Sequence, residues 1–437
     1  MTQQEVIKAF MKALDTTTLK GEDALNEAIK ACSTFKSFKE LKTEIINDCK
    51  KAKSADDFLK TYCGIDYSTD DSGAITGLDA GGSVSKNDAD IIPESGSLKT
   101  CTDSSFKKNN LTVKLGDGKT YDDLTKSQKF IWNGLYTWWV EGALNLVAES
   151  YGDNFSFTDK SSATVKEMAV TFVDKDNGPP AQTWHNYYIA SGRTANIWLE
   201  INMHYWDSLK DNLTEANSGF DRTIAHEFTH AVMVANILEE PIYNSLPHFV
   251  KEGLADLTIG IKNSRKDLIQ ELNASKFESG LVVDDSNTDS SFWYEGGYTF
   301  FRYLARQAGD LTIENTGDST VRTFRGNDTV TNFVSNAYID SGEGADYVAV
   351  GSGAKKVTIA SGTGNDHINN WSSQASIETS TGNDTIYNSS LASNAYLSSD
   401  TGNDSIDNRG ARFDLRLPRR FHAPNRCRHG YLLQRDS

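Results

Sequence analysis

The chain has 437 residues, 38% hydrophobic and 10% aromatic, enough apolar material to bury a full core and to build two or three folded units. A formal net charge of −16 and a pI near 5.0 exclude a nucleic-acid surface, because a phosphate backbone would be repelled over most of the molecule. The five cysteines are odd in number and widely spaced, with no CxxC pair and no zinc-finger spacing, which argues against a disulfide framework.

Residues 1–65 place apolar side chains at three-to-four spacing in VIKAFMKAL, ALNEAIKAC, FKELKTEIINDC and DFLKTYC, which predicts a small module of short amphipathic helices. The N-terminus has no apolar core of signal-peptide length, and no stretch elsewhere reaches the length of a membrane span. Export, if it occurs, is therefore expected without a cleaved N-terminal signal. Residues 66–110 turn to Gly, Ser, Asp and Asn (STDDSGAITGLDAGGSVSKNDAD), a linker composition that sets a domain boundary.

Residues 111–315 hold seven of the eight tryptophans, so the main core is expected there. This region opens with SQKFIWNGLYTWWVEGALNLVAESYG, predicted as one long helix. Strands follow in EMAVTFVD, WHNYYIA and NIWLEINMHYW. In the last, Ile197, Leu199, Ile201 and Met203 alternate with Trp198, Glu200, Asn202 and His204, so one face is expected to be buried.

Asp221 then opens DRTIAHEFTHAVMVANIL, an apolar-rich helical run halted by Pro241. His226 and His230, four apart, share a helix face and can reach one cation, while Glu227 faces the same cleft as a candidate general base. Hydrolytic zinc sites use three protein ligands and leave a fourth position open, so a third ligand is expected downstream. Glu252 is the candidate, on a second helix in PHFVKEGLAD that starts after Pro247 and stops at Gly260. His248, one turn earlier, is the alternative third ligand. Asp256, one turn later, is placed to accept the free N–H of a ligand histidine and fix its tautomer.

HEFTH followed by EGLAD resembles the gluzincin zinc metallopeptidases, over roughly residues 165–310. The resemblance implies an α+β zincin-like peptidase domain, with His226, His230 and Glu252 on Zn2+, Glu227 activating water and Asp256 orienting a histidine. It also implies an extended polypeptide substrate, with the strand at 195–206 as the edge that pairs with it. Residues 294–297, Tyr-Glu-Gly-Gly, are similar to the Tyr-x-x-Gly segment of some gluzincins, which implies Tyr294 as oxyanion support and Tyr298 as the fallback. An aromatic core helix is the alternative reading of that segment. The metzincin pattern fails, since Met233 and Asn236 stand where Gly and His are needed.

Beyond residue 320, GND recurs in GNDTVTN, GNDHINN, GNDTIYN and GNDSIDN, with a weaker copy in GADYVAV. The motif glycines Gly326, Gly344, Gly364, Gly382 and Gly402 are separated by 18, 20, 18 and 20 residues. That period is two nonapeptides, one carrying the motif and one that has lost it, and it predicts a parallel β-roll or β-solenoid over 316–408. The array resembles RTX hemolysin-type repeats, which implies Ca2+ bound through Asp328, Asp346, Asp366, Asp384 and Asp404. A metal-free solenoid held by Asn and Ser/Thr ladders is the alternative. By the same resemblance the protein is expected to be bacterial and secreted, with a one-step secretion system as a partner.

Residues 409–437 hold eight of the fifteen arginines and read as a frameshifted or otherwise alien end, with a genuine basic tail as the alternative. Taken together, the residues predict a zinc peptidase with a helical N-terminal module and a calcium-type tail. The rival expectation is a calcium-binding surface or adhesion protein with an inactive peptidase-like domain; the intact Glu227 between two candidate ligands speaks against it. The N-terminal module is expected to bind a partner or to restrain the peptidase.

Overall fold

The computed structural model describes residues 3–69, 75–79, 92, 96–152, 165–188, 194–207, 219–236, 240–260, 269–284, 292–317, 319–411 and 414–416. Most of the Arg-rich tail and part of the expected linker lie outside these residues. Among them, no helix is long and apolar enough to cross a membrane. The chain divides into two compact units, Ile7–Leu304 and Met1–Val6 with Ala305–Ser437.

The N-terminal helices are α1 (Gln3–Thr16), α2 (Gly21–Cys32), α3 (Phe38–Lys51) and the short α4 (Ala55–Asp57), which continues into a π turn, Phe58–Tyr62. Ser37 caps α3 by accepting from the Glu40 amide at 3.2 Å. Their buried faces, with Phe10 and Leu14 on α1, Leu25 and Ile29 on α2, and Phe38, Leu41 and Ile45 on α3, do not close on one another alone. Phe10 meets Phe301 edge-on at 5.1 Å, Phe38 stacks on Phe249 at 5.8 Å, and the Tyr303 hydroxyl donates to Asp48 at 2.7 Å. The helical module thus shares a core with the region that follows. Within the expected linker, β1 (Asp66–Thr69) and β2 (Ile75–Asp79) pair antiparallel.

The long helix is α5 (Lys126–Gly134) and α6 (Val140–Tyr151), joined through a π turn at Leu135–Trp139 and opened by a Thr125/Gln128 capping box. Beside it lies a five-stranded sheet of β3 (Ser105–Lys108), β4 (Leu111–Leu115), β5 (Glu167–Val173), β6 (Ala181–Tyr187) and β7 (Thr194–Asn202), in the order β3-β4-β5-β7-β6. Met168, Val170 and Phe172 of β5 pair in register with Ile197, Leu199 and Ile201 of β7 and share one buried face. Two expectations need correction here. The strand reading overshoots: Asn202 accepts from the His204 amide at 3.3 Å and starts a short helix, α7 (Met203–Trp206). And β7 is not an edge, because the antiparallel strand β6 covers it.

The remaining helices of this unit are α8 (Phe220–Asn236), α9 (Glu240–Ser245), α10 (His248–Ile259) and α11 (Ala274–Gly280). A π turn at Phe292–Gly296 then leads into α12 (Gly297–Ala308).

The second unit is a parallel β-solenoid. Its short strands run from β8 (Thr312–Asn315) to β19 (Asp414–Arg416), and the even- and odd-numbered ones form two six-stranded sheets. Val330, Val348, Ile368, Ile386 and Ile406 stack in register in one sheet, and Val321, Ile339, Ile359, Ile377 and Leu397 in the other, filling the space between. Each motif glycine is required by the stacking: Gly344 has φ 142°, and a Cβ on it would fall 1.7 Å from the Gly326 carbonyl oxygen.

Candidate functional site

Helix α8 is buried along its whole length, which is why its polar residues must find partners inside the protein. The first turn of α10 begins after Pro247, and Gly260 with φ 68° ends the helix, so Glu252 and Asp256 project from one face toward α8. The His226 Nε2 lies 3.1 Å from the His230 Nε2 and 3.2 Å from the Glu252 Oε2, and His230 Nε2 is 3.3 Å from that same oxygen. Three donor atoms of the expected ligand set therefore converge, all within 4.8 Å of one another.

This triangle fits zinc. With donors at about 2.0–2.1 Å, a tetrahedral ion holds neighbouring ligand atoms about 3.3 Å apart, which is the spacing of these three. The ring nitrogens that face away are also engaged: His226 Nδ1 lies 3.0 Å from Asp256 Oδ1, and His230 Nδ1 lies 3.4 Å from the Tyr243 hydroxyl. Burial alone would lower His226, but the Asp256 and Glu252 carboxylates override it and carry its pKa to about 10. Burial would likewise raise Glu252, and the imidazoles of His230 and His226 instead hold its carboxyl well below the usual range. The surround favours positive charge at its centre.

Glu227 points into the same cleft. The Thr183 amide on β6 donates to its Oε2 at 2.6 Å, and the Thr183 hydroxyl donates to its main-chain carbonyl at 2.8 Å. Burial pushes the Glu227 carboxyl up, which suits a group that must take a proton, while the two histidines oppose that rise. Tyr294 has its ring 5.8 Å from that of His226, whereas the fallback Tyr298 is 1% exposed within the core. The alternative ligand His248 is turned to another purpose: its ring stacks on Trp293 at 4.3 Å.

Thr183 and Tyr243, which sequence reasoning did not single out, also frame the cleft, as does His185, which its place in a strand before the motif marks as a core or cleft-wall residue rather than a ligand. Alternation along β6 puts His185 on the same face as Thr183, and its ring meets Tyr243 edge-on at 5.5 Å. That strand's period was the available signal. Tyr243 had none, since only the fold brings α9 against α8.

In the solenoid, all five motif aspartates stack in one column. Each Oδ1 accepts from a backbone amide one coil earlier: Leu311 to Asp328 at 2.6 Å, Asp328 to Asp346 at 2.8 Å, and Asp346 to Asp366, Asp366 to Asp384 and Asp384 to Asp404 at 3.0 Å. The Oδ2 atoms of Asp328, Asp346, Asp366 and Asp384 are buried without a hydrogen-bond partner. Burial lifts Asp328 and Asp346 to about 7, and raises Asp366 and Asp384 as well. The hydroxyls of Thr323, Ser341, Ser361 and Thr379 face these aspartates and oppose the rise, so the column is met by hydroxyls on one side as well as by backbone amides on the other. Beside it runs a buried column of Thr323, Ser341, Ser361, Thr379 and Ser399, each five residues before an aspartate. At the far end of the even-numbered strands that the aspartates lead into, Asn370, Asn388 and Asn408 form an amide ladder at 2.7 Å per step.

Compared with known proteins, the chain matches no family model, no curated protein and no solved structure.

Proposed function

We propose that this chain is a zinc-dependent peptidase of the gluzincin kind, secreted, acting on extended polypeptide and carrying a calcium-binding tail. The observation that carries the reading is the convergence of His226, His230 and Glu252 at tetrahedral spacing, with a buried carboxylate, Glu227, beside them.

Zinc, when bound, supplies Lewis acidity that acidifies a water and polarises the scissile carbonyl. The protein's residues do the rest. Glu227 receives the proton on its carboxylate and hands it to the leaving amine, and the Thr183 amide holds that carboxylate in place. Tyr294 stands beside His226, where its hydroxyl can donate to the oxygen that gains charge. Strand β6 has, among the described residues, no strand on its outer side, and that edge, apart from the Thr183 amide taken by Glu227, is where an extended substrate would pair, in place of the strand at 195–206 expected from sequence. In the tail, Asp328, Asp346, Asp366 and Asp384 offer buried oxygens to Ca2+.

Metal analysis of the wild type, His230→Ala and Glu227→Gln, alongside casein digestion, tests the reading. One zinc per chain is expected, lost in the histidine variant and retained without activity in the glutamine variant. A wild type free of zinc would overturn it and leave a calcium-binding scaffold.

A further inference from the structure

We infer that Tyr243 is the positioning residue of His230, the counterpart of Asp256 on His226, and that its hydroxyl sets how tightly the site holds zinc. This rests on the zinc reading above. His230 turns its Nε2 toward the His226 Nε2 at 3.1 Å and the Glu252 oxygen at 3.3 Å, which leaves Nδ1 as its outward nitrogen. A neutral imidazole that gives Nε2 to a cation must carry its proton on Nδ1, and that N–H needs an acceptor in a buried site. Among the described residues, the acceptor at His230 Nδ1 is the Tyr243 hydroxyl oxygen at 3.4 Å.

The two ligand histidines are therefore held unequally. His226 donates to a carboxylate at 3.0 Å, a short charge-assisted contact. His230 donates to a neutral phenol across a longer distance, which raises the basicity of its ring less. Tyr243 is itself fixed from two sides, by the His185 ring at 5.5 Å edge-on and by the Lys251 ammonium 5.3 Å over its face. It stands on α9, just after Pro241, and only 8% of it is exposed. An aromatic ring kept for packing alone would not need its oxygen directed at a ligand nitrogen.

The test is Tyr243→Phe, which keeps the ring and its contacts with His185 and Lys251 and removes one oxygen. Zinc affinity is read by chelator competition, with Asp256→Asn as a reference, alongside the visible spectrum of the cobalt-substituted protein and the melting temperature of the metal-stripped protein. Tyr243→Phe is expected to weaken zinc by about tenfold or more and to shift the cobalt spectrum, with the metal-stripped melting temperature unchanged. Wild-type zinc affinity and an unshifted cobalt spectrum in the variant would overturn the assignment while leaving the peptidase reading intact. So would a loss of affinity matched by an equal loss of metal-stripped stability with no spectral change. A wild type that binds neither metal would instead remove the zinc reading and this one together.

Discussion

Gly253 and Gly297 meet backbone to backbone: a Cβ on Gly253 would sit 2.4 Å from the Gly297 carbonyl carbon, and one on Gly297 would sit 2.2 Å from the Phe249 carbonyl oxygen. Neither glycine needs an unusual backbone angle. Their task is proximity, for this crossing brings Glu252 on α10 and Tyr294 in the preceding π turn to the same cleft. Gly253→Ala is expected to destabilise the protein by about 1–3 kcal/mol through overpacking. Gly353→Ala, at a site with open space around it, is the control and should be neutral. Thermal melts of the two variants decide it; equal melting temperatures would mean the crossing relaxes freely.

Asp256→Asn keeps the shape of the acceptor beside His226 and removes its charge. Zinc binding is expected to weaken by about 10–100-fold while the folded state persists. Chelator competition measures this, and an unchanged affinity would show that the 3.0 Å contact plays no part in holding the metal.

Tyr294→Phe separates the oxyanion role from packing. The expected result is a fall in kcat of about 10²–10³-fold with KM nearly constant, since the hydroxyl acts where charge develops. Steady-state kinetics on a peptide substrate check it. A kcat within twofold of wild type would return the tyrosine to the wall of the cleft.

The solenoid should respond to pH. Asp328 and Asp346 are raised to about 7 in the fold, above the ordinary aspartate value of about 3.9, so the folded form binds protons more tightly than the unfolded chain. Stability from this source is complete below the unfolded value and is lost as pH rises through about 7. With calcium chelated, amide protection over residues 319–350, taken relative to the intrinsic exchange rate at each pH, is expected to fall between pH about 5.5 and pH about 8, and calcium at the higher pH to restore it. Exchange whose protection is insensitive to both would remove the carboxylate column from the account of stability.

Asn388→Ala breaks the amide ladder in the middle, removing one hydrogen bond from the Asn370 amide, which keeps the Ser372 carbonyl, and one from Asn408 Oδ1, which keeps the Gly410 amide. A loss of about 1 kcal/mol is expected for each hydrogen bond removed. Val350 already interrupts the same column between Asn332 and Asn370, as the strand register shows. Val350→Asn should therefore be far milder than Asn388→Ala, and denaturant melts that rank them in the opposite order would count against the ladder.

What could be read from the sequence was local. His226, Glu227 and His230 lie within one helical turn, Glu252 and Asp256 within another, and the aspartate column repeats at a fixed period, so spacing alone placed them. What escaped depends on which elements become neighbours. Tyr243 reaches His230 only because α9 folds back, Thr183 reaches Glu227 only because β6 is the outer strand, and the alternation that marks β7 as buried is equally true of an edge or an interior strand. The N-terminal helices were legible as helices, yet their aromatic faces give no sign that Phe249 and Phe301 will cover them.

The aspartate column has a direction. Each carboxylate serves the amide of the coil before it, never its own, so a coil is finished only when its successor has been laid down. For a chain made from its N-terminus, the array is a zipper whose slider trails one tooth behind the growing end. Cutting it anywhere between coils always bares one amide on the upstream piece and leaves the downstream piece with a carboxylate that has lost its recipient.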